Sequence, residues 1–459
     1  MTPDPDHCDL LLHRADLVAT VDGARTELRG GWVAVTGGMV TAVGGAGEPP
    51  PQAAERVDVS GCLVTPGLVN THHHLYQNLT RAYPGMTDKP LFGWLTSLYP
   101  LWRGLDEESV YASTFVGLAE LALSGCTTST DHLYVHPRGA GDLLGASIVA
   151  ARDLGMRFHP TRGSMSLSAK DGGLPPDDVV ADDDEILAAS EEAVSRHHDR
   201  SPGAMVRVAL APCSPFSVTE RLMTATAELA ERLDVRLHTH FAENAEDDAF
   251  SVATFGCRPT EYLERTGWAT PRTWVAHCVR PNDAEQRRLA AAEVSVAHCP
   301  SSNLILGSGI APVVPMRRYG ISVGLGVDGS SSADSGSMWL EARQAMLLGK
   351  LRDGPASLTA RDVLEMATEG GADCLGRRGE IGTLVPGAVA DIAVWRLDGP
   401  LYAGAVADPV EAWLRCGPTS AWHTIVAGRF VVRSGALVHP GVPEVLRLHT
   451  RHAIRIQGR

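Results

Sequence analysis

Eight apolar runs, each ending in a polar side chain, recur through the middle of this 459-residue chain. Helical stretches such as 107–123 and 219–233 lie between most of them. Buried strands that alternate with helices indicate parallel βα units, and eight such units predict an α/β fold of the (β/α)8 TIM-barrel type. The runs cover residues 64–74, 126–132, 156–162, 206–214, 235–243, 273–279, 294–300 and 321–329.

The two ends of the chain carry a different pattern. Residues 9–64 contain short β-branched strands with a hairpin turn at Gly37-Gly38, and residues 390–397 and 424–432 are similar. Because both ends are rich in strands, we expect them to build one β-sandwich that flanks the barrel. The predicted boundaries are 1–64 and 381–459 for the sandwich and 65–380 for the barrel.

Composition excludes several classes of protein. Hydrophobic residues make up 44% of the chain and charged residues only 20%, which argues against disorder. The net charge of −14 disfavours binding to nucleic-acid polymers. No apolar run reaches the ~18 residues that span a membrane, and the Asp-rich start does not resemble a signal peptide. We therefore expect a cytoplasmic protein with reduced cysteines that acts on a small molecule; a homo-oligomer is left open.

Histidine pairs end two of the predicted barrel strands. His72 and His74 share one face of the first strand, because side chains alternate along a strand. His238 and His240 share one face of the fifth. Imidazoles that meet at one edge of a barrel can hold a transition metal. Spacing alone does not choose between His238 and His240 as a ligand.

Other chemically active residues end the same set of strands. Glu243 follows His240 by three residues, His277 ends the sixth strand and Asp328 ends the eighth. A glutamate beside a metal site can transfer protons. Since active sites of these barrels lie at the carboxyl ends of the strands, the residues together predict a catalytic metal centre.

These motifs resemble the amidohydrolase superfamily. The resemblance covers residues 64–74, His240-x-x-Glu243, His277, Asp328 and the tail from Gly382 to Asp391. It implies a metal that activates water, bound inside a (β/α)8 barrel with a flanking β-sandwich. Carried over by position, it implies Glu243 as proton shuttle, His277 with Asp328 as activators of the water, and a metal-ligand set of His72, His74, His240 and Asp328.

The lysines bear on the number of metals. Superfamily members with two metals usually bridge them with a carboxylated lysine on a middle strand. The three lysines of this chain, Lys89, Lys170 and Lys350, all lie outside the predicted barrel strands. We therefore predict a single divalent metal, zinc in preference to iron, because imidazole and carboxylate ligands suit zinc.

Within the superfamily the chain is similar to the 8-oxoguanine deaminases. The similarity lies in Gln77 and in residues 93–95, 161–166, 171–177 and 211–216. It implies hydrolytic deamination of an oxo-purine, 8-oxoguanine, to urate and ammonia. The sequence leaves open an s-triazine or hydroxyatrazine aminohydrolase, whose motifs are close, and a guanine or isocytosine deaminase. Guanine deaminases typically place an arginine where Cys213 stands.

Three residues are predicted to contact the substrate. The Gln77 amide both donates and accepts hydrogen bonds, and the Arg162 guanidinium presents a planar fork of donors. Cys213 is the third. A purely structural role would be loop packing for Gln77, a surface ion pair for Arg162 and a small buried residue for Cys213. The family often has Ser-Asn-Asp where residues 332–334 are Ser-Ala-Asp, which leaves the contacts of that loop open.

Other classes of protein lack support in the sequence. A cytidine-type deaminase needs H-x-E with P-C-x-x-C, and a zinc protease needs H-E-x-x-H. The chain contains neither set. A binding protein on this barrel would not need Glu243 and His277 in addition to metal ligands. The sequence therefore favours an enzyme.

Overall fold

A computed structural model of the chain describes residues 7–458. Eight parallel strands close into a barrel, in which Leu325 on the last strand pairs with Asn70 on the first. This confirms the predicted (β/α)8 architecture. The barrel strands are β6 (Leu68–Asn70), β7 (Cys126–Leu133), β8 (Arg157–Ser164), β9 (Ala209–Pro212), β10 (Leu237–Phe241), β11 (Thr273–His277), β12 (Ser295–His298) and β13 (Val323–Leu325).

The remaining strands form one nine-stranded sheet from both ends of the chain. Its centre is the antiparallel pair of β5 (Cys62–Pro66) with β14 (Ile392–Arg396), in which Val64 lies opposite Val394. The flanking β domain is thereby confirmed. Its strands are β1 (His7–Ala19), β2 (Glu27–Thr36), β3 (Met39–Gly44), β4 (Gln52–Asp58), β5 (Cys62–Pro66), β14 (Ile392–Arg396), β15 (His423–Val426), β16 (Arg429–Arg433) and β17 (Ala436–Leu437).

Fifteen α-helices in the described residues cover the barrel and its mouth. Several begin at side chains that cap free backbone N–H groups: the Asp106 carboxylate accepts from Ser109 N, and Thr219 Oγ1 accepts from Leu222 N. The helices are α1 (Leu91–Trp102), α2 (Glu107–Leu123), α3 (Leu143–Leu154), α4 (Asp183–His197), α5 (Glu220–Leu233), α6 (Ala245–Phe255), α7 (Pro259–Arg265), α8 (Asp283–Ala291), α9 (Pro300–Ile305), α10 (Val313–Arg318), α11 (Met338–Asp353), α12 (Ala360–Glu365), α13 (Gly371–Cys374), α14 (Pro409–Arg415) and α15 (Val442–Ile456).

A buried ion pair joins the barrel to the sheet. Arg157, at the start of β8, donates through Nε and Nη2 to the two carboxylate oxygens of Asp391, at 2.8 and 3.0 Å. The backbone carbonyl of Asp391 accepts from Gly67 N, just before β6. A paired and hydrogen-bonded charge is tolerated in a core, so this contact connects the first and third barrel strands to the returning chain. The boundaries at residues 64 and 381 stay predictions.

The long connection between β6 and β7 covers the barrel mouth. It contains a 3-10 helix over Leu75–Thr80 and the apolar helix α1. The indole of Trp102 donates to Thr80 Oγ1, and the indole of Trp94 donates to the Ser331 carbonyl. These bonds hold the connection above the strand ends, where the predicted site lies. No helix in residues 7–458 combines the length and apolar character that a membrane crossing requires.

Candidate active site

The residues predicted to bind a metal meet at the barrel mouth. His72 and His74 follow β6 directly, and Asp328 follows β13 in a left-handed backbone conformation with φ of 60°. Asp328 Oδ1 lies 3.2 Å from His72 Nε2 and 3.3 Å from His74 Nε2. The side chain of Asn70 accepts from Val327 N, which ties the ends of β6 and β13 together. Strand pairing thus brings residues from opposite ends of the barrel sequence together.

His240 completes this cluster from β10. Its Nε2 atom lies 3.1 Å from His74 Nε2. Burial lowers the pKa of His240 to about 3 and that of His72 well below its ordinary value, so both rings are neutral, the form that binds metals. His72 Nε2 is buried with no hydrogen-bond partner. A cation between these nitrogens and Asp328 Oδ1 would satisfy all of them, so the residues present fit a divalent metal.

Backbone carbonyls fix the proton positions on two of these rings. His74 Nδ1 lies 2.8 Å from the His132 carbonyl oxygen, and His240 Nδ1 lies 2.6 Å from that of Cys213. A carbonyl only accepts, so both Nδ1 atoms carry the hydrogen and both Nε2 atoms present a lone pair to the cluster. His238 points elsewhere, since its Nε2 atom contacts His72 Nδ1. The geometry therefore places the ring of His240, and not that of His238, in the cluster.

Glu243 and His277 lie beside the cluster. His277 Nε2 is 3.7 Å from Glu243 Oε2 and 3.8 Å from Asp328 Oδ2. Burial alone would lower the pKa of His277, but these two carboxylates raise it above its ordinary value. Burial raises the pKa of Glu243, whose Oε1 atom has no hydrogen-bond partner. Two proton-exchanging groups therefore face the same point, as general acid–base chemistry requires.

Asn303 orients His277. The amide oxygen of Asn303, on α9, accepts from His277 Nδ1 at 3.0 Å. That bond leaves Nε2 of His277 directed at Glu243 and Asp328. The start of α9 is in turn held by Glu341, which accepts from the backbone N–H and the hydroxyl of Ser301.

A cavity opens above these groups. Gln77 and Cys213, two of the three residues predicted to contact the substrate, both line it. Gln77 Nε2 is buried without a partner, so it is free to donate to a ligand. Burial raises the pKa of the Cys213 thiol to about 12, so that side chain is neutral. The cavity is lined by His74, Gln77, Leu91, Trp94, Leu95, Tyr134, Cys213, Phe216, His240, Glu243, His277, Leu306, Asp328 and Ser332.

The structure corrects the prediction for Arg162. Its side chain shares a face of β8 with Phe158, which packs in the core between the strands and the helices. It therefore projects away from the barrel interior, into a separate cavity beside α3 and α4. There it donates to the Gly163 carbonyl, and burial lowers its pKa to about 10. A substrate in the active-site cavity would not contact Arg162.

Several residues at the site were missed by sequence reasoning. His132 lies near the end of β7, is buried, and has an unpartnered Nδ1 atom; one of its ring nitrogens lies within 4.8 Å of ring nitrogens of His72, His74 and His240. The rule that identified His72 would also have identified His132. Tyr134 and Phe216 lie in loops that follow β7 and β9, and Leu306 lies just after α9; the sequence assigns none of them an individual role. Ser332 lines the cavity and donates to Asp328 Oδ2, which answers part of the question about loop 332–334.

Comparison with known proteins adds to this geometry. A profile of the amidohydrolase family matches residues 63–431. The chain is 48% identical to the 8-oxoguanine deaminase of Pseudomonas aeruginosa, over 90% of this chain and 91% of the relative. It is 36% identical to the hydroxydechloroatrazine ethylaminohydrolase of Pseudomonas sp. strain ADP, over 93% and 91%. The crystal structure of atrazine chlorohydrolase from Arthrobacter aurescens complexed with zinc superposes with a TM-score of 0.91 at 34% identity, covering 97% and 100%.

Proposed function

We propose that this chain, which belongs to the amidohydrolase family, hydrolytically deaminates an oxo-purine and that its substrate is 8-oxoguanine. The enzyme is a hydrolase that acts on carbon–nitrogen bonds. In the proposed reaction, one water replaces the exocyclic amino group of 8-oxoguanine, and urate and ammonia are the products. The observation that carries this choice is the 48% identity, over nine-tenths of the chain, to an 8-oxoguanine deaminase.

The cavity has the chemistry that a flat heteroaromatic ring requires. Leu91, Trp94 and Phe216 supply apolar and aromatic walls, while the free donor of Gln77 is available to an oxygen or ring nitrogen. Ligand sites combine such apolar walls with a few polar groups that fix orientation. A site with a buried donor favours substrates that pair with it, because an unpaired donor is costly.

One divalent metal, zinc in preference to iron, is part of the proposal. His72, His74, His240 and Asp328 would hold it, and when bound it would supply Lewis-acid activation of the attacking water. Elemental analysis of the purified enzyme should therefore find about one equivalent of metal per chain. A second equivalent on which activity depends would contradict this assignment.

The chain's own acid–base groups would move the protons. His277, with Asp328 beside it, is placed to accept a proton from the attacking water. Glu243 is placed to carry a proton to the departing nitrogen, since a carboxyl with a raised pKa can hold a proton closer to neutral pH. The separations of 3.7 and 3.8 Å around His277 Nε2 are close to hydrogen-bond reach.

A second candidate is an aminohydrolase of triazines. It is favoured by the superposition on the atrazine chlorohydrolase and by the identity to hydroxydechloroatrazine ethylaminohydrolase. Guanine and isocytosine complete the set of candidate substrates. All of these compounds carry a leaving group, an amine or a halide, on an sp² ring carbon, so hydrolysis of each can be followed by release of that group.

Steady-state kinetics on a panel of substrates tests the proposal. Ammonia release from 8-oxoguanine, guanine and isocytosine, compared with alkylamine release from hydroxyatrazine, should give the highest kcat/KM for 8-oxoguanine. If guanine or hydroxyatrazine is turned over more efficiently, the substrate assignment is wrong although the hydrolase assignment stands.

A further inference from the structure

We infer that His238 is a positioning residue for the metal centre, because it accepts the Nδ1 proton of His72 and so directs the Nε2 lone pair of His72 at the cluster. This inference rests on the metal centre of the proposed function. His238 is the first histidine of the pair on the fifth strand and lies outside the proposed ligand set.

The proton positions on His238 follow from its surroundings. His238 is fully buried, and its Nδ1 atom lies 2.9 Å from the carbonyl oxygen of Trp274, its paired neighbour on β11. Because a carbonyl can only accept, Nδ1 of His238 carries the hydrogen. A neutral imidazole has a single N–H, so Nε2 of His238 is an acceptor.

The same reasoning then shows which ring nitrogen of His72 carries the hydrogen. Nδ1 of His72 lies 2.8 Å from this acceptor, and the bond forms only if His72 donates. The hydrogen of His72 is thereby on Nδ1, and Nε2 presents a lone pair. That lone pair faces Asp328 Oδ1 at 3.2 Å, and two acceptors at this distance call for a cation between them.

His72 differs in this respect from the other two histidines of the cluster. His74 and His240 are oriented by backbone carbonyls, which no side-chain substitution removes. The orientation of the His72 ring depends on the side chain of His238, so a substitution can test the hydrogen bond between them. Trp274 supports both histidines. It stacks on His238 with ring centroids 4.4 Å apart, and its indole donates to the carbonyl of Thr71, the residue before His72.

Two substitutions separate the hydrogen bond from the packing. His238→Phe keeps an aromatic ring against Trp274 but removes the acceptor. His238→Gln offers an amide oxygen that can accept from His72 and an N–H that can donate to the Trp274 carbonyl. His159→Phe is the matched control, because His159 is also buried in the barrel against Trp274 but contacts none of the cluster histidines.

The measurement is the zinc dissociation constant, from competition with a chelator, together with the absorption spectrum of the cobalt-substituted enzyme. His238→Phe should raise the dissociation constant about 10–100-fold and alter the spectrum, as expected when an outer-shell partner of a metal-bound histidine is lost. His238→Gln should restore both, and His159→Phe should leave both unchanged. If His238→Phe does not fold, His238→Ala tests the same loss of acceptor.

Wild-type zinc affinity in His238→Phe would overturn the inference, and so would an equal loss in His238→Gln. Because no substrate enters this experiment, its outcome is independent of the substrate panel. A failure to deaminate 8-oxoguanine would leave the role of His238 intact, and a wrong role for His238 would leave deamination intact.

Discussion

Glu243 is the residue on which the proposed chemistry depends most directly. Its carboxyl is buried beside His277, with one oxygen free of hydrogen bonds. Glu243→Gln keeps the shape of the side chain but removes the proton carrier, so kcat should fall about 100-fold or more. Zinc content, measured by elemental analysis, should be unchanged, since Glu243 is not a proposed ligand. Near-normal turnover in this variant would show that another group moves the proton.

Substitutions of Gln77 and Arg162 form a matched pair, because the two side chains lie in different cavities. Gln77 lines the cavity with a free donor, whereas Arg162 projects into a different cavity. Gln77→Ala should lower kcat/KM for 8-oxoguanine about 10-fold or more, the cost of losing one buried hydrogen bond. Arg162→Met should leave it within about twofold. The reverse order in steady-state kinetics would contradict the positions of both side chains.

The site residues show where sequence reasoning succeeds. His72, Asp328 and Glu243 could be predicted because they follow buried apolar strands at the edge where such barrels carry chemistry. Arg162 could not be placed, because its face of the strand depends on register and tilt that no single sequence reveals. The choice of His240 over His238 likewise depends on contacts with neighbouring strands, namely with Cys213 and His72.

Helix α9 is the element that connects the acid–base pair to the core. Its first residues are held by Glu341 on α11, a buried carboxyl whose pKa is raised by burial to about 8 from an ordinary 4.5. The folded chain thus keeps this proton over a pH range in which the unfolded chain has lost it. The stability from this group is fully present below about pH 4.5 and is lost as the pH rises toward 8.

Glu341→Gln removes this pH dependence while keeping an acceptor for the Ser301 N–H. The free energy of unfolding of the variant should therefore increase relative to that of the wild type as the pH rises from 6 toward 8. Urea unfolding of both zinc-loaded proteins at several pH values measures the difference. A difference that is constant over this range would contradict the raised pKa.

The barrel strands could be predicted from the sequence, whereas the helix and loops that surround the barrel mouth could not. All eight barrel strands lie within or overlap the predicted apolar runs, since continuous burial leaves a clear pattern. Helix α1 and the loops that carry Tyr134 and Phe216 have no such pattern, because their apolar residues pack on the particular shape of the mouth. Sequence similarity marks residues 93–95 and 211–216, but their place in the cavity wall comes from the structure.

The last helix, α15, packs against the wall of the active-site cavity at the barrel mouth. Ile456, near the end of α15, is buried in the apolar cluster that also contains Trp94 and Leu95 of the cavity wall. Ile456→Ala should lower the free energy of unfolding by about 2–4 kcal/mol in denaturant titrations and raise KM as the wall loosens. Ile454 on the same helix is 50% exposed, so Ile454→Ala is the control and should cost under about 0.5 kcal/mol. Equal effects would show that α15 does not support the cavity.

In the proposed reaction, oxygen from water replaces the amino group of 8-oxoguanine. Mass spectrometry of the product formed in ¹⁸O-labelled water tests it most directly. We expect urate that carries one labelled oxygen, together with an equal amount of ammonia. Recovery of unchanged 8-oxoguanine, or its consumption without ammonia release and without label in the product, would contradict the proposed reaction.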